Sequence, residues 1–101
     1  MNRGALTDNE LRELAQIFRA LGDTTRQRIL LLLSKQPMNV NSIVANFELA
    51  QPTISRHLAV LKNARLVSAV RRRQQIIYHL VPATMRHCCE SFLSALGLET
   101  V

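Results

Sequence analysis

The sequence predicts a mainly α-helical fold with one small β-hairpin, in the order α-α-α-α-β-β-α. Three observations predict it. Apolar residues recur at three- and four-residue spacing from Leu11 to Leu61, switch to every second residue between Val67 and Leu80, and return to helical spacing after Pro82. Helix punctuation falls at these changes, with Gly22 and Gly97 at ends and Pro52 and Pro82 at starts. Finally, the 101 residues are 48% hydrophobic and 20% charged. That composition suits one globular domain over 1–101 and excludes a disordered chain.

Each element follows from its residues. Thr7 or Asp8 can cap a first helix over 8–21, with Glu10 in its opening turn. Leu11, Leu14, Phe18 and Leu21 share one face, with Ile17 alongside, and Gly22 ends the helix. Asp23 caps a second helix whose stretch Ile29 to Leu33 is apolar nearly all round, which predicts the central buried helix. Lys35-Gln36-Pro37 breaks the pattern. Asn39 or Asn41 can cap a short third helix burying Ile43, Val44 and Phe47.

After the connection Glu48 to Gln51, Pro52 marks the start of a fourth helix that runs to about Ala64. Ile54, Leu58 and Leu61 form its inward stripe, leaving Gln51, Ser55, Arg56 and Lys62 off it. Two helices over 40–64 joined by a short turn, the second polar outward, make a helix-turn-helix pattern. Strands are predicted at Val67–Val70 and Gln75–Leu80, joined by the polar tip Arg71-Arg72-Arg73-Gln74. A last helix over 83–96 carries the stripe Met85, Cys89, Phe92 and Leu96, with Gly97 as its stop.

The formal charge is +6, and its placement is the informative part. Between Glu48 and Glu90 lie seven Arg and Lys residues and no acid, whereas the rest of the chain is close to balance. A surplus confined to one segment gives a directional field, and a polyanion is its natural partner. No long amphipathic basic helix accompanies it, which favours double-stranded DNA over a membrane surface. The fourth helix supplies Gln51, Thr53, Ser55 and Arg56, side chains suited to base edges and phosphates in a major groove. Lys62 adds a phosphate-directed charge, and the tip Arg71, Arg72, Arg73 and Gln74 can follow the backbone or enter the minor groove.

The two cysteines, Cys88 and Cys89, are adjacent, a spacing that rarely bridges, so a reducing cytosol is expected. Met1 to Leu11 has no apolar core of the kind a signal peptide needs. The run Ile29 to Leu33 is far too short to span a bilayer, so the protein is expected to be soluble and cytoplasmic.

Three ordered blocks carry a family resemblance: Ala20-Leu21-Gly22-Asp23-Thr24-Thr25-Arg26-Gln27-Arg28-Ile29-Leu30, then Gln51-Pro52-Thr53-Ile54-Ser55-Arg56-His57-Leu58, then Leu61-Lys62-Asn63-Ala64-Arg65-Leu66-Val67. Together they resemble the ArsR/SmtB repressors, bacterial winged helix-turn-helix proteins, over roughly residues 11 to 82. The resemblance implies a homodimer built by the helices at 8–21 and 83–96, a wing at 66–80, and repression by occupying promoter DNA. It places DNA contacts at Gln51, Thr53, Ser55, Arg56 and Arg71 to Gln74. His57 also matches, either as a DNA contact or as a hydrogen-bonding residue within the helix-turn-helix.

The chain also departs from that family. Its wing tip often carries an acidic residue followed by Gly, where Arg72 and Arg73 stand here. The family's Cys-x-Cys metal site falls on Asn39 and Asn41, and neutral amides are poor ligands for soft metals. Its carboxylate and His site on the last helix falls on Pro82, Thr84 and Ala95, none of which coordinates. Neither metal site is expected, and no cofactor. His87-Cys88-Cys89-Glu90 leaves two readings: Cys89 packs in the dimer interface as a small hydrophobe, or both thiols sense a metalloid or an oxidant, the cysteines of two facing helices making an intersubunit site.

Catalysis is not expected. Adjacent cysteines are not the Cys-x-x-Cys of redox enzymes, and no loop is long enough to wall a pocket. The remaining rival is an interaction module whose basic face meets an acidic protein.

Overall fold

Capping decides where three of the helices begin. In the computed structural model, which describes residues 5–98, Thr7 caps α1 (Asp8–Leu21). Its hydroxyl accepts from the Glu10 N–H at 3.1 Å while its own N–H donates to Glu10 Oε1 at 3.0 Å, a reciprocal capping box. Those bonds hold the Glu10 carboxyl below its usual range. Asp23 caps α2 (Thr24–Leu33) by accepting from the Arg26 N–H at 3.1 Å, and the same bond lowers its titration. Asn39 caps α3 (Val40–Val44) through the Ser42 N–H at 2.8 Å. The absence of a signal peptide was expected partly on Met1–Gly4, which lie outside the described residues.

Replacing Asp23 with Ala is expected to cost about 1 kcal/mol at neutral pH, the usual effect of losing a side-chain cap. The carboxyl titrates lower folded than unfolded. Its contribution is therefore present above the unfolded value and fades as pH falls through the folded one. Urea unfolding of both proteins at pH 7 and at about pH 3 should show the gap shrinking on acidification. An equal gap at both would mean that the ionised carboxylate is not the cap.

The remaining elements are β1 (Met38–Asn39), α4 (Gln51–Asn63), β2 (Val67–Arg72), β3 (Gln75–Leu80) and α5 (Pro82–Ala95). The sheet runs β1-β3-β2, antiparallel throughout, with Met38 opposite Tyr78 and Val67 opposite Leu80. Ile29, Ile43, Ile54, Leu58, Leu61 and Leu66 are fully buried beneath it, and no polar or charged residue among those described is buried with them. After α4 the chain turns sharply. The Leu66 N–H donates to the Leu61 carbonyl and the Arg65 N–H to the Lys62 carbonyl, both at 2.9 Å, with Arg65 at φ 62°. This is a Schellman ending in which Arg65 stands where glycine is usual. It delivers the chain from α4 into the hairpin with Leu61 and Leu66 both in the core.

Several expectations are corrected. The order gains β1, so a three-stranded sheet replaces a lone hairpin; two residues are too few to show alternation in a sequence. Strand β2 continues through Arg71 and Arg72, and the turn is only Arg73-Gln74. Helix α2 is not buried all round: Leu31 stays 65% exposed, because only Ile29, Leu30 and Leu33 face the core. On α1 the core face is Leu14, Ile17 and Ala20, leaving Leu11 and Phe18 exposed. Phe47 lies beyond α3, half-buried under the Arg28 guanidinium, 5.3 Å from its ring centroid. On α5 Met85 and Phe92 pack against the core as expected, and Cys88 is buried as well, while Cys89 and Leu96 are exposed on the single chain. Helical spacing locates a stripe but not which neighbour covers it.

Candidate nucleic-acid interface

The inward stripe of α4 aims everything else on that helix. At about 100° per residue, Arg56 projects nearly opposite Ile54, Leu58 and Leu61. Gln51, Ser55 and Lys62 line one flank, and Thr53 and His57 the other. Gln51, Ser55, Arg56 and Lys62 are exposed, while Thr53 and His57 are half-buried. Polar side chains thus rise from an exposed 13-residue helix of a diameter that fits a DNA major groove.

The hairpin carries the rest of the charge. Arg71 pairs with Ile76 and Arg72 with Gln75, so the two side chains leave opposite faces of the ribbon. Arg73 takes φ 59°, the positive value a two-residue hairpin needs at its first turn position. The turn therefore forms without the family's usual glycine, at a cost on the order of 1 kcal/mol. Arg71, Arg72, Arg73 and Gln74 are all exposed. Among the described residues, none of Arg56, Lys62, Arg71, Arg72 and Arg73 has a carboxylate within 4.0 Å. Their field is left for an external anion.

One residue quoted in the motif blocks but given no role in the sequence reading proves central. Arg26 donates from Nε to the Ala20 carbonyl at 2.6 Å and from Nη2 to the Arg19 carbonyl at 3.0 Å. Its Nη1 reaches Nδ1 of His57 at 3.2 Å. One guanidinium thus joins the C-terminal carbonyls of α1, the first turn of α2 and the outward-facing helix α4. A clue was available: the first turn of α2 holds no acid and does hold Arg26, a cation against the helix dipole. The opposing C-terminus of α1 resolves that conflict. On the other side of α1, Gln16 Nε2 donates to the Asn63 carbonyl at the end of α4, at 3.1 Å.

The thiols diverge. Cys88 is 3% exposed, in the wall of a cleft of about 480 Å³ between α1, α5 and the end of α4. Burial first, and the adjacent Cys89 second, push its titration upward, which disfavours the thiolate. Cys89 is exposed and unbridged. Asn39, in one of the positions matching the family's thiolate site, is occupied in capping and donates to Gln75 Oε1 at 3.3 Å.

Comparison with known proteins agrees with this geometry. The profile described as "Bacterial regulatory protein, arsR family" matches residues 23–69. The transcriptional repressor SdpR of Bacillus subtilis is 41% identical over 64 residues, covering 63% of this chain and 71% of that protein. Among solved structures, an ArsR-like transcriptional regulator from Rhodococcus sp. RHA1 superposes with TM-score 0.79 at 29% identity, covering 86% of this chain and 81% of that one. A homodimeric winged helix-turn-helix domain from Mycobacterium bovis, itself a possible ArsR-family regulator, gives TM-score 0.72 at 26% identity, over 84% of this chain and 82% of that one. No helix among the described residues is long and apolar enough to cross a membrane. With α4 as its outward helix and β2–β3 as its wing, the chain belongs to the ArsR/SmtB family of winged helix-turn-helix transcriptional regulators, DNA-binding proteins that are not enzymes.

Proposed function

We propose that the chain is a cytoplasmic homodimeric repressor that occupies an inverted-repeat operator. The observation that carries this reading is the set of exposed cations on α4 and the wing, Arg56, Lys62, Arg71, Arg72 and Arg73, with no carboxylate within 4.0 Å among the described residues. Support for two-fold assembly comes from α1 and α5, where Leu11, Phe18 and Leu96 are 43–55% exposed beside the Phe18–Phe92 ring contact. The Mycobacterium bovis relative is homodimeric. Two-fold symmetry calls for half-sites about one helical turn, ~10 bp, apart.

Fluorescence anisotropy against a duplex from upstream of the protein's own reading frame, and against a scrambled duplex, tests this across stepped salt. Weak, salt-steep binding to the scramble and roughly 10³-fold or tighter binding to the operator are expected. Equal affinity for both, or none for either, would point instead to a basic interaction module.

A second reading adds thiol sensing, favoured by the exposure of Cys89. The two thiols diverge by about 100° on one helix, so joint ligation of a metalloid would need the facing helix of a second subunit. Arsenite or peroxide is then expected to release operator DNA from the wild type and not from Cys89→Ser. Identical release from both proteins would leave the thiols structural.

A further inference from the structure

The contact between Arg26 and His57 has a consequence for the chemistry of the outward helix. A guanidinium is always protonated and offers only donors. The 3.2 Å contact from its Nη1 therefore requires Nδ1 of His57 to be the acceptor, and so to carry no proton. Asp23 Oδ2 lies 3.9 Å from the same nitrogen, beyond hydrogen-bonding reach, and does not compete as its partner. The proton of the neutral ring is thereby placed on Nε2, because the bond at one imidazole nitrogen sets the tautomer of the other.

That Nε2 makes no hydrogen bond among the described residues. No described side-chain nitrogen or oxygen is both buried and unpaired, so Nε2 reaches solvent. His57 keeps 19% of its side chain exposed, on the same flank of α4 as Thr53. An N–H donor on the flank of a DNA-reading helix, its ring pinned from behind by a cation, suits a phosphate oxygen. Polarisation along the chain Arg26–His57–acceptor strengthens the outer bond.

We propose that His57 donates from Nε2 to a DNA backbone phosphate, and that Arg26 is its positioning residue, holding the ring in the Nε2–H tautomer and in register with α4. This rests on α4 being the DNA-reading helix. It also makes the two readings of His57, DNA contact or internal hydrogen bond, one arrangement: the internal bond prepares the external one.

The test uses the full chain with operator and scrambled duplexes, and exploits the fact that Asn mimics Nδ1 of histidine whereas Gln mimics Nε2. His57→Asn keeps an acceptor for Arg26 but loses the outward donor. It is expected to weaken binding about tenfold on both duplexes and to leave the salt slope unchanged, because a neutral donor releases no counterion, with an unchanged unfolding midpoint. His57→Gln, which restores an outward amide donor, is expected to recover most of the affinity. Arg26→Lys keeps the charge but cannot direct three bonds at once. Its loss of DNA affinity should be much smaller in the His57→Asn background than in the wild type. Wild-type affinity in His57→Asn would overturn the phosphate contact. Full additivity of the Arg26→Lys and His57→Asn losses would overturn positioning through His57. A wild-type protein that binds neither duplex would overturn the DNA-reading function itself and, with it, this inference.

Discussion

Replacing Arg71, Arg72 and Arg73 together by Gln is expected to flatten the salt dependence of DNA binding. The slope of log K against log salt should fall by up to about 2.7, three phosphate equivalents at about 0.9 each. The three side chains occupy exposed positions at the end of a two-stranded ribbon, with no carboxylate within 4.0 Å among the described residues. Their charge is thus not spent inside the protein. Because Arg71 and Arg72 leave opposite faces while Arg73 tops the turn, contact with one groove wall engages them unequally, and three is the ceiling. The loss should be similar on operator and scrambled duplexes, since phosphates carry no sequence information. Gln keeps a polar, hydrogen-bonding side chain without the charge, and β2–β3 pairing is backbone-mediated, so the unfolding midpoint should hold. An unaltered slope in anisotropy titrations from low to physiological salt would remove the wing from the binding surface.

Arg56→Ala is expected to weaken operator binding by about 1–3 kcal/mol while costing less on scrambled DNA, and to relax preference at one base pair. Arg56 lies nearly opposite the buried stripe of Ile54, Leu58 and Leu61, which makes it the side chain of α4 that penetrates deepest when the helix lies in a groove. A guanidinium in that position can pair bidentately with guanine. Competition with a set of operators, each altered at one base pair, reads the effect directly. Equal loss on every sequence would show that Arg56 touches only phosphate and would shift base reading to Gln51, Thr53 or Ser55.

The two substitutions differ in kind because one probes phosphate contacts and the other a base contact; the two elements were also legible in the sequence to different degrees. Helix α4 could be read in full from the chain, since Pro52 marks its start and Ile54, Leu58 and Leu61 face inward at i, i+4, i+7. Local pattern and burial agree there, so the exposed set follows. The wing was legible only as a change of period. Its extension through Arg72, and the tolerance of a positive φ at Arg73, depend on pairing with β3. Strand β1 was invisible, because its two residues owe their conformation to Tyr78 and Ile77 across the sheet. The α5 stripe was legible in part: Met85 and Phe92 pack against the core as helical period predicts, while Cys88, one position off that stripe, is the residue of α5 buried deepest against the domain.

By itself the sequence determined the class of fold, the cationic segment between Glu48 and Glu90, and which residues of the fourth helix lie off its buried stripe. These depend on periodicity, capping and charge, which are properties of neighbours along the chain. Tertiary structure alone decided the role of Arg26, whose partners at Arg19 and Ala20 lie one helix back and at His57 lies 31 residues ahead. A fork of fixed hydrogen-bond donors is satisfied only by where acceptors meet in space, and no spacing in the sequence encodes that meeting.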